Sequence, residues 1–302
     1  RVTARRYPPG SVMKTLTAAA ALDTGVLNGT EAQVTCPNQL VVSPSTPPVR
    51  NAVDGLSGTT GNPSDLRRVY AFSCNTAFAQ IGLMLGAERL AAYAFGMGLV
   101  YGDSDVAYPD IRDISADVGT IASTADVLNY PSVLADTAYG QGQALIRPLD
   151  MLQMVALIGN NGNMMRPYVV AEVRRGEEQI YQAQPEVVRR VISAQTASQM
   201  RSIMKTSVDI GYAQPAALPY VGVGGKTGTA ETSSGVPHSW FVGLVPIEQP
   251  RYAVAVIIEN SGEGSVYALP VARRVLEAAI PPPPTNTPTD ATLLGRLPET
   301  TP

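Results

Sequence analysis

The sequence is poor in the side chains that metal-dependent and histidine-dependent enzymes use. Its 302 residues include one histidine, His238, and two cysteines, Cys36 and Cys74. A usual zinc site takes about four ligands of these types, so a zinc enzyme is disfavoured, and we expect no metal and no cofactor. A serine hydrolase with a histidine base is disfavoured as well, because His238 lies in a predicted hairpin where packing is the commoner role.

Cysteine, charge and long apolar runs are also scarce. Two cysteines cannot form a disulfide framework; a single Cys36–Cys74 bridge remains open, but two buried free thiols are the preferred interpretation. Charged residues make up 16% of the chain and the net charge is −3, which argues against a nucleic acid partner. No run approaches the ~18 apolar residues of a membrane span. The hydrophobic fraction of 45% predicts a globular protein.

Hydrophobic periodicity predicts an α+β fold, in which an antiparallel sheet packs against helices and a largely helical insert precedes the sheet. The linkers between the three predicted strands are short, which favours antiparallel pairing. Loops with short extended pieces are expected over 30–63, loops with short helical pieces over 98–142, and short strands and turns over 168–192. The predicted helices are 11–22, 64–97, 148–159, 195–209 and 269–280, and the predicted strands are 221–230, 239–245 and 252–259.

Ser11-Val12-Met13-Lys14 is the first of three short motifs, at the start of a predicted helix. Side chains at i and i+3 share a helix face, so the Lys14 amine can reach the Ser11 hydroxyl. A serine is a poor nucleophile until a neighbour takes its proton, and burial or a nearby cation favours the neutral amine that can do so. Alone, the spacing also fits an N-cap serine beside a solvated lysine. The uncharged stretch 15–22 predicts a buried helix, however, and a lysine on a buried helix indicates a function.

Two further motifs supply polar groups for a peptide-like substrate. Ser73-Cys74-Asn75 is a polar island in an apolar stretch, where a hydroxyl can pass a proton and an amide can bind a substrate amide. Lys226-Thr227-Gly228-Thr229 lies on a glycine-rich strand, and glycines in a strand indicate close approach of another backbone. Its cation and hydroxyls suit a carboxylate. The three motifs in this order predict acyl transfer through serine without histidine.

Together the motifs resemble the signatures of penicillin-binding proteins and serine β-lactamases. The flanking residues look like the transpeptidase domain of class B penicillin-binding proteins, and the resemblance runs from about residue 7 to 280. The stretches that carry it are Tyr7-Pro8-Pro9-Gly10-Ser11, Ser73-Cys74-Asn75-Thr76-Ala77-Phe78, Gly140-Gln141-Gly142, Arg147-Pro148-Leu149-Asp150-Met151, Lys226-Thr227-Gly228-Thr229-Ala230-Glu231 and His238-Ser239-Trp240-Phe241-Val242-Gly243.

The resemblance implies a D,D-transpeptidase that cross-links peptidoglycan stem peptides through a serine acyl-enzyme and is acylated by β-lactams. Ser11 would attack the carbonyl between two terminal D-alanines, and Lys14 would take its proton. The implied catalytic residues are Ser11, Lys14, Ser73 and Lys226, and the implied substrate-binding residues are Asn75, Thr227, Gly228 and Thr229.

The resemblance also implies strands before the serine helix, whereas only ten residues precede Ser11. We therefore expect residues 1–280 to be an N-terminally truncated transpeptidase domain that lacks these strands. Residues 281–302 are rich in proline and threonine and are expected to be a disordered tail. A membrane anchor is expected upstream, with the domain at the extracytoplasmic face of the bacterial plasma membrane and cell-division or elongation proteins as partners.

Three alternative functions remain open. A D,D-carboxypeptidase differs only in using water as the acceptor, and a β-lactam or muropeptide sensor would be acylated without turnover. A β-lactamase must deacylate fast. The class that uses a glutamate for this is disfavoured because no glutamate lies between Glu88 and Glu172. The class that uses a carbamylated lysine has an apolar residue where this chain has Asn75.

Overall fold

The computed structural model describes residues 1–104, 113 and 115–283 and is organised around one buried helix. A 3-10 turn (Gly10–Met13) runs directly into helix α1 (Lys14–Asp23). Every residue from Lys14 to Leu22 is buried. Most of these side chains are small, which lets neighbouring helices approach closely. The predicted buried helix over 11–22 is confirmed, and Gly25, with a φ of +72°, follows its end as the sequence predicts.

The segment that follows α1 is irregular before it becomes helical. Its elements are β1 (Gln33–Val34), β2 (Gln39–Leu40), β3 (Val49–Arg50), α2 (Leu56–Thr60), β4 (Ser64–Asp65), α3 (Leu66–Ala71), α4 (Asn75–Leu85) and α5 (Ala87–Gly96). The helical prediction for 64–97 is confirmed in content, but Ser73 and Gly86 have positive φ angles and divide the stretch into three helices. Helix α2 is an addition in a region predicted as loop, and it forms because Leu56 is buried.

The middle of the chain alternates short strands with longer helices. Its elements are β5 (Val100–Tyr101), β6 (Thr120–Ala122), α6 (Pro131–Tyr139), α7 (Pro148–Gly159), β7 (Asn163–Met165), β8 (Glu172–Arg175), β9 (Glu178–Gln182), β10 (Val187–Arg190) and α8 (Ala194–Ile210). Helix α7 matches its prediction at both ends. The buried pair Arg147 and Asp150 caps its first turn, with Arg147 Nε 3.0 Å from Asp150 Oδ2. Part of the predicted 98–142 loop lies outside the described residues.

The last third forms an antiparallel sheet covered by a helix. Strands β11 (Gly224–Ala230), β12 (His238–Val245) and β13 (Tyr252–Ile258) pair in that order, and α9 (Ala268–Ala279) follows. Strand β11 begins later than predicted because Val221 instead forms an isolated bridge with Leu218. The tail predicted over 281–302 lies outside the described residues beyond position 283.

Two hydrophobic clusters cover the two faces of the sheet. Successive residues of a strand point to opposite faces, and β12 shows this clearly. Trp240 belongs to the cluster around α1, whereas Phe241 belongs to the cluster under α9. Helices α4, α5, α6 and α8 pack around α1, while α7 and α8 contact the sheet. The predicted mixture of antiparallel sheet and helices is confirmed. In the described ranges no helix has the length and apolar character that crossing a bilayer requires.

The preferred interpretation of Cys36 and Cys74 as free thiols is wrong. Their sulfur atoms are bonded, with a Cα–Cα distance of 6.2 Å. Strand β1, just before Cys36, pairs with β4, just before α3. This pairing folds the irregular 30–63 segment back onto the start of α4, where Cys74 is the N-cap. The bridge therefore follows from a chain path that the local sequence does not reveal.

Candidate active site

Ser11 lies at the floor of a cleft of about 350 Å³. Its position is set by close backbone contact between the 3-10 turn and β11. Gly10 has a φ of +54°, and a Cβ there would be 2.5 Å from the carbonyl oxygen of Thr229. A Cβ on Gly228 would be 3.0 Å from Val12 Cγ1. Glycine at both positions lets the serine turn lie directly against the strand, as the glycine-rich pattern predicts.

Lys14 brings the first two motifs together. Its Nζ lies within hydrogen-bond distance of three groups: 2.7 Å from Ser11 Oγ, 3.2 Å from Ser73 Oγ and 2.8 Å from Asn75 Oδ1. The Lys14 side chain has no exposed surface. The predicted contact between Lys14 and Ser11 is confirmed, and Ser73 and Asn75 contact the same amine.

The surroundings of the two buried lysines favour their neutral forms. Burial lowers the pKa of Lys14 well below its usual value, and the charge of Lys226 lowers it further. Burial alone lowers the pKa of Lys226 to about 7. Neither lysine has a carboxylate within ion-pair distance among the described residues. A neutral amine beside a serine hydroxyl can accept the hydroxyl proton, which makes the serine oxygen a nucleophile.

Ser73 and Asn75 are held by an unusual turn between α3 and α4. Ser73 has a φ of +59°, which non-glycine residues seldom adopt. Cys74 caps α4 through its sulfur, which accepts from Ala77 N–H at 3.4 Å. Asn75 Nδ2 donates to the carbonyl of Arg50 at 2.9 Å. The second motif is therefore fixed to the 36–51 segment by the disulfide and by this hydrogen bond.

Strand β11 places the third motif along the opposite wall. Thr227, Gly228 and Thr229 line the cleft beside Ser11. Lys226 is fully buried and its Nζ donates to the Thr227 carbonyl at 2.9 Å. No hydrogen bond joins Lys226 to Ser11 or Ser73 in the part of the chain that the structure describes. The structure thus brings all eight predicted residues to one place, with Lys226 behind the wall.

The cleft also contains residues that sequence analysis did not select. The walls include the charged side chains of Arg50 and Glu263 and the aromatic rings of Phe72 and Tyr212, which are in edge contact at 5.8 Å. Arg50 lies in the two-residue strand β3 and the others lie in turns or loops, and no local spacing distinguishes any of them. Gln141 and Glu231 line the cleft too. They belong to the stretches that carry the family resemblance, which was the available signal.

His238 has the packing role that its hairpin position predicts. Its ring meets Tyr7 edge-on at 5.4 Å, and its Nδ1 accepts from Asn260 N–H at 3.0 Å. It is not among the residues that line the cleft. Within the described ranges, no group of three or more histidine, cysteine, aspartate or glutamate side chains is arranged to hold a metal ion.

Comparison with known proteins gives a consistent set of relatives. The family model described as "Penicillin binding protein transpeptidase domain" matches residues 1–277. Peptidoglycan D,D-transpeptidase PbpA of Mycobacterium tuberculosis is 33% identical over 290 residues, covering 93% of this chain and 56% of the relative. Peptidoglycan D,D-transpeptidase MrdA of Haemophilus influenzae is 26% identical, covering 92% of this chain and 45% of the relative.

Comparison with solved structures finds the same type of relative. The imipenem acyl-enzyme complex of penicillin-binding protein A from M. tuberculosis has a TM-score of 0.80 and 31% identity, covering 92% of this chain and 61% of that one. The D,D-transpeptidase domain of a peptidoglycan glycosyltransferase from Eggerthella lenta has a TM-score of 0.78 and 29% identity, covering 92% and 66%. The chain spans about half the length of the curated relatives it matches. With the motifs assembled as described and the family model matched almost throughout, this chain belongs to the penicillin-binding protein transpeptidase domain family.

Proposed function

We propose that this chain is a serine-type D,D-transpeptidase domain that cross-links peptidoglycan stem peptides through an acyl-enzyme on Ser11. The observation that carries the proposal is the 2.7 Å contact between Lys14 Nζ and Ser11 Oγ in a buried site that lowers the pKa of the lysine. Relatives named peptidoglycan D,D-transpeptidase, and a similar structure described as an acyl-enzyme complex, support it.

Acylation begins with transfer of the Ser11 proton to the neutral Lys14 amine as Oγ attacks the donor carbonyl between the two terminal D-alanines. The tetrahedral oxyanion is held by the backbone N–H groups of Ser11 and Thr229. The bond to the terminal D-alanine then breaks. Its nitrogen receives a proton from Lys14 by way of Ser73, which lies 3.2 Å from the lysine. The products are an ester on Ser11 and free D-alanine.

Substrate binding uses both sides of the cleft, the Asn75 side and the β11 side. Asn75 binds the donor amide, for which it retains one amide hydrogen and one lone pair beyond its contacts with Lys14 and Arg50. Thr227 and Thr229 donate to the terminal carboxylate, Gly228 leaves space for the peptide backbone, and the charge of Lys226 favours the anion from behind the wall.

The second step replaces Ser11 with the amine of another stem peptide. The amine attacks the ester carbonyl, its proton passes to Lys14, and Ser11 leaves as the hydroxyl. Water in place of the amine would make the reaction a carboxypeptidation. A β-lactam presents a strained amide to the same groups and leaves a long-lived ester.

The location and partners are also proposals. The Cys36–Cys74 bridge supports action outside the reducing cytoplasm. We place the domain at the extracytoplasmic face of the bacterial plasma membrane, with a membrane anchor upstream and cell-division or elongation proteins as partners.

The test is acylation by a fluorescent penicillin, followed by intact mass. We expect one stable adduct on the wild-type chain and none on Ser11→Ala, with Ser43→Ala, a change at a partly exposed loop hydroxyl, as the matched control. An adduct that persists in Ser11→Ala would contradict the proposal. Rapid loss of the adduct would indicate a β-lactamase. A stable adduct without transfer of a D-Ala-D-Ala donor to an amine would indicate a sensor, and transfer to water alone a carboxypeptidase.

A further inference from the structure

Arg50 is a cation on the cleft wall that has no partner of its own. Its side chain is exposed and lines the same cleft as Ser11. In the described part of the chain, no carboxylate lies within ion-pair distance of its guanidinium and no acceptor receives a hydrogen bond from it. By contrast, Arg201, which lines another cleft, donates to the carbonyl of Ile158 at 2.8 Å. An unpaired arginine beside a reactive serine is available to a ligand.

The backbone of Arg50 is tied to the catalytic groups. Its carbonyl accepts from Asn75 Nδ2 at 2.9 Å, and Asn75 Oδ1 in turn accepts from Lys14 Nζ at 2.8 Å. Lys14 Nζ is 2.7 Å from Ser11 Oγ. Arg50 is therefore three hydrogen bonds from the nucleophile.

Three further contacts hold the segment that carries Arg50. Strand β3 pairs with β2, with Arg50 opposite Gln39. The next residue, Asn51, is buried, and its Oδ1 accepts from Thr76 N–H at 3.2 Å. The Cys36–Cys74 bridge closes the other end of the same segment. The cation is thus presented from a fixed backbone rather than from a free loop, which limits the entropy that ligand binding would cost.

We infer that Arg50 is a specificity-determining residue that binds a carboxylate on the acyl donor, on the residue that precedes the D-Ala-D-Ala unit. The inference rests on the proposed function. The donor's terminal carboxylate is assigned to the β11 wall, and its amide to Asn75, so the upstream residue passes over the Asn75 side of the cleft. Successive residues of an extended peptide are about 3.3 Å apart, so the side chain next to the Asn75-bound amide is the one closest to Arg50.

Arg50 is the group on the cleft wall that attracts an upstream carboxylate. The other charged residues that line the cleft are Glu231 and Glu263, and the apolar lining residues that follow Arg50 in the chain are Ala52, Val53 and Leu56. The apolar neighbours reduce the competition from water, and the planar guanidinium matches a carboxylate in two parallel hydrogen bonds.

Depsipeptide donors of matched shape test this inference. We would use acetylated donors that end in Glu-D-Ala-D-lactate or Gln-D-Ala-D-lactate, and a third that carries Glu one residue further upstream with Gln next to D-Ala. The second-order rate of acylation is measured by intact mass at low salt. In the wild-type chain the Glu donor should react about fivefold faster than the Gln donor, as expected for a partly exposed ion pair. The third donor should resemble the Gln donor.

Arg50→Gln should bring the Glu-to-Gln rate ratio to about one, and Arg50→Lys should retain part of it. Arg89→Gln removes an equal charge from an exposed site on α5 and should leave the ratio unchanged. A thermal unfolding midpoint for each variant checks that it is folded. Acylation with a wild-type ratio near one, or a ratio that survives in folded Arg50→Gln, overturns the Arg50 inference alone. A faster third donor assigns Arg50 to the more distant residue and overturns the stated position. If neither the donors nor penicillin acylate the wild-type chain, the proposed function fails and this inference fails with it.

Discussion

The charge of Lys226 lowers the pKa of Lys14, so the protonation of one buried lysine depends on the charge of the other. Burial and the Lys226 charge lower the pKa of Lys14 well below its ordinary value, and burial lowers the pKa of Lys226 to about 7. When the Lys14 amine beside Ser11 is neutral and the Lys226 amine behind β11 is still charged, the site holds both a base and a cation. A base and a cation are thereby obtained from two identical side chains.

The rate of acylation by penicillin should therefore have a bell-shaped dependence on pH. It rises as Lys14 loses its proton, and it falls through about pH 7 as Lys226 loses the charge that favours the carboxylate. In Lys226→Arg, which stays charged, the alkaline limb should move upward by at least about one pH unit. Stopped-flow fluorescence between about pH 5 and pH 10 measures both limbs. An alkaline limb that is identical in the two proteins would refute this assignment.

Gly10→Ala should reduce acylation by about 100-fold, because a misplacement of about 1 Å at a reactive group has effects of this size. A Cβ on Gly10 would lie 2.5 Å from Thr229 O and would push the Ser11 turn off β11. Gly25→Ala is the matched control, since Gly25 also has a positive φ but has nothing within 4 Å of its missing Cβ. Both variants should lose about 1 kcal/mol of stability from the backbone conformation alone. Equal acylation rates in the two variants would show that the close contact is not needed.

Loss of the Cys36–Cys74 bridge should lower the free energy of unfolding by about 4 kcal/mol, the value for a loop of this length. The double variant Cys36→Ala/Cys74→Ala is compared with the oxidised wild type by urea denaturation. It should also acylate more slowly, because Asn75 and Ser73 flank the removed cysteine. Reducing agent should shift the wild type toward the double variant and leave the double variant unchanged. A wild-type midpoint that does not respond to reduction would contradict the bridge.

Lys226→Met should abolish carboxylate recognition yet stabilise the fold by about 1 to 4 kcal/mol near pH 6, because it removes a buried cation. The folded-state pKa of Lys226 is about 7 and lies below its ordinary value. The unfolded chain therefore binds a proton that the folded chain lacks, and wild-type stability rises with pH above about 7. The advantage of the variant should shrink as pH rises toward 10.5, the ordinary value. Differential scanning calorimetry at several pH values measures this, with Lys205→Met, at a partly exposed lysine on α8, as the control.

Local patterns in the sequence were sufficient to predict the longer helices and the three-stranded sheet. Helix α7 matches its prediction from Pro148 to Gly159 because a proline start, an apolar face and an asparagine–glycine stop all occur within one short window. The Ser11–Lys14 contact was equally accessible, since it depends only on helical spacing.

The residues that sequence analysis missed are joined by long chain paths. Cys36 meets Cys74 across 38 residues, most of them irregular, where proline and glycine do not fix a direction. Arg50, in strand β3, and Glu263, in a loop, reach the cleft from positions far apart in the sequence. The positive φ of Ser73 could not be predicted from the sequence either, because glycine is the residue that usually indicates this backbone conformation. Local periodicity cannot report any of these relationships.

The dense packing of α1 restricts how this protein can evolve. Ala18, Ala19, Ala20 and Ala21 have no exposed surface, so a larger side chain at any of them must displace a neighbouring helix. Under the proposed function, a lineage exposed to β-lactams therefore has few viable changes in the helix that carries Lys14. Heritable change in the acylation rate is expected to accumulate in the cleft walls, at positions such as Val53, which is about half exposed. The residues around Lys14 are therefore expected to vary less than the residues that line the cleft.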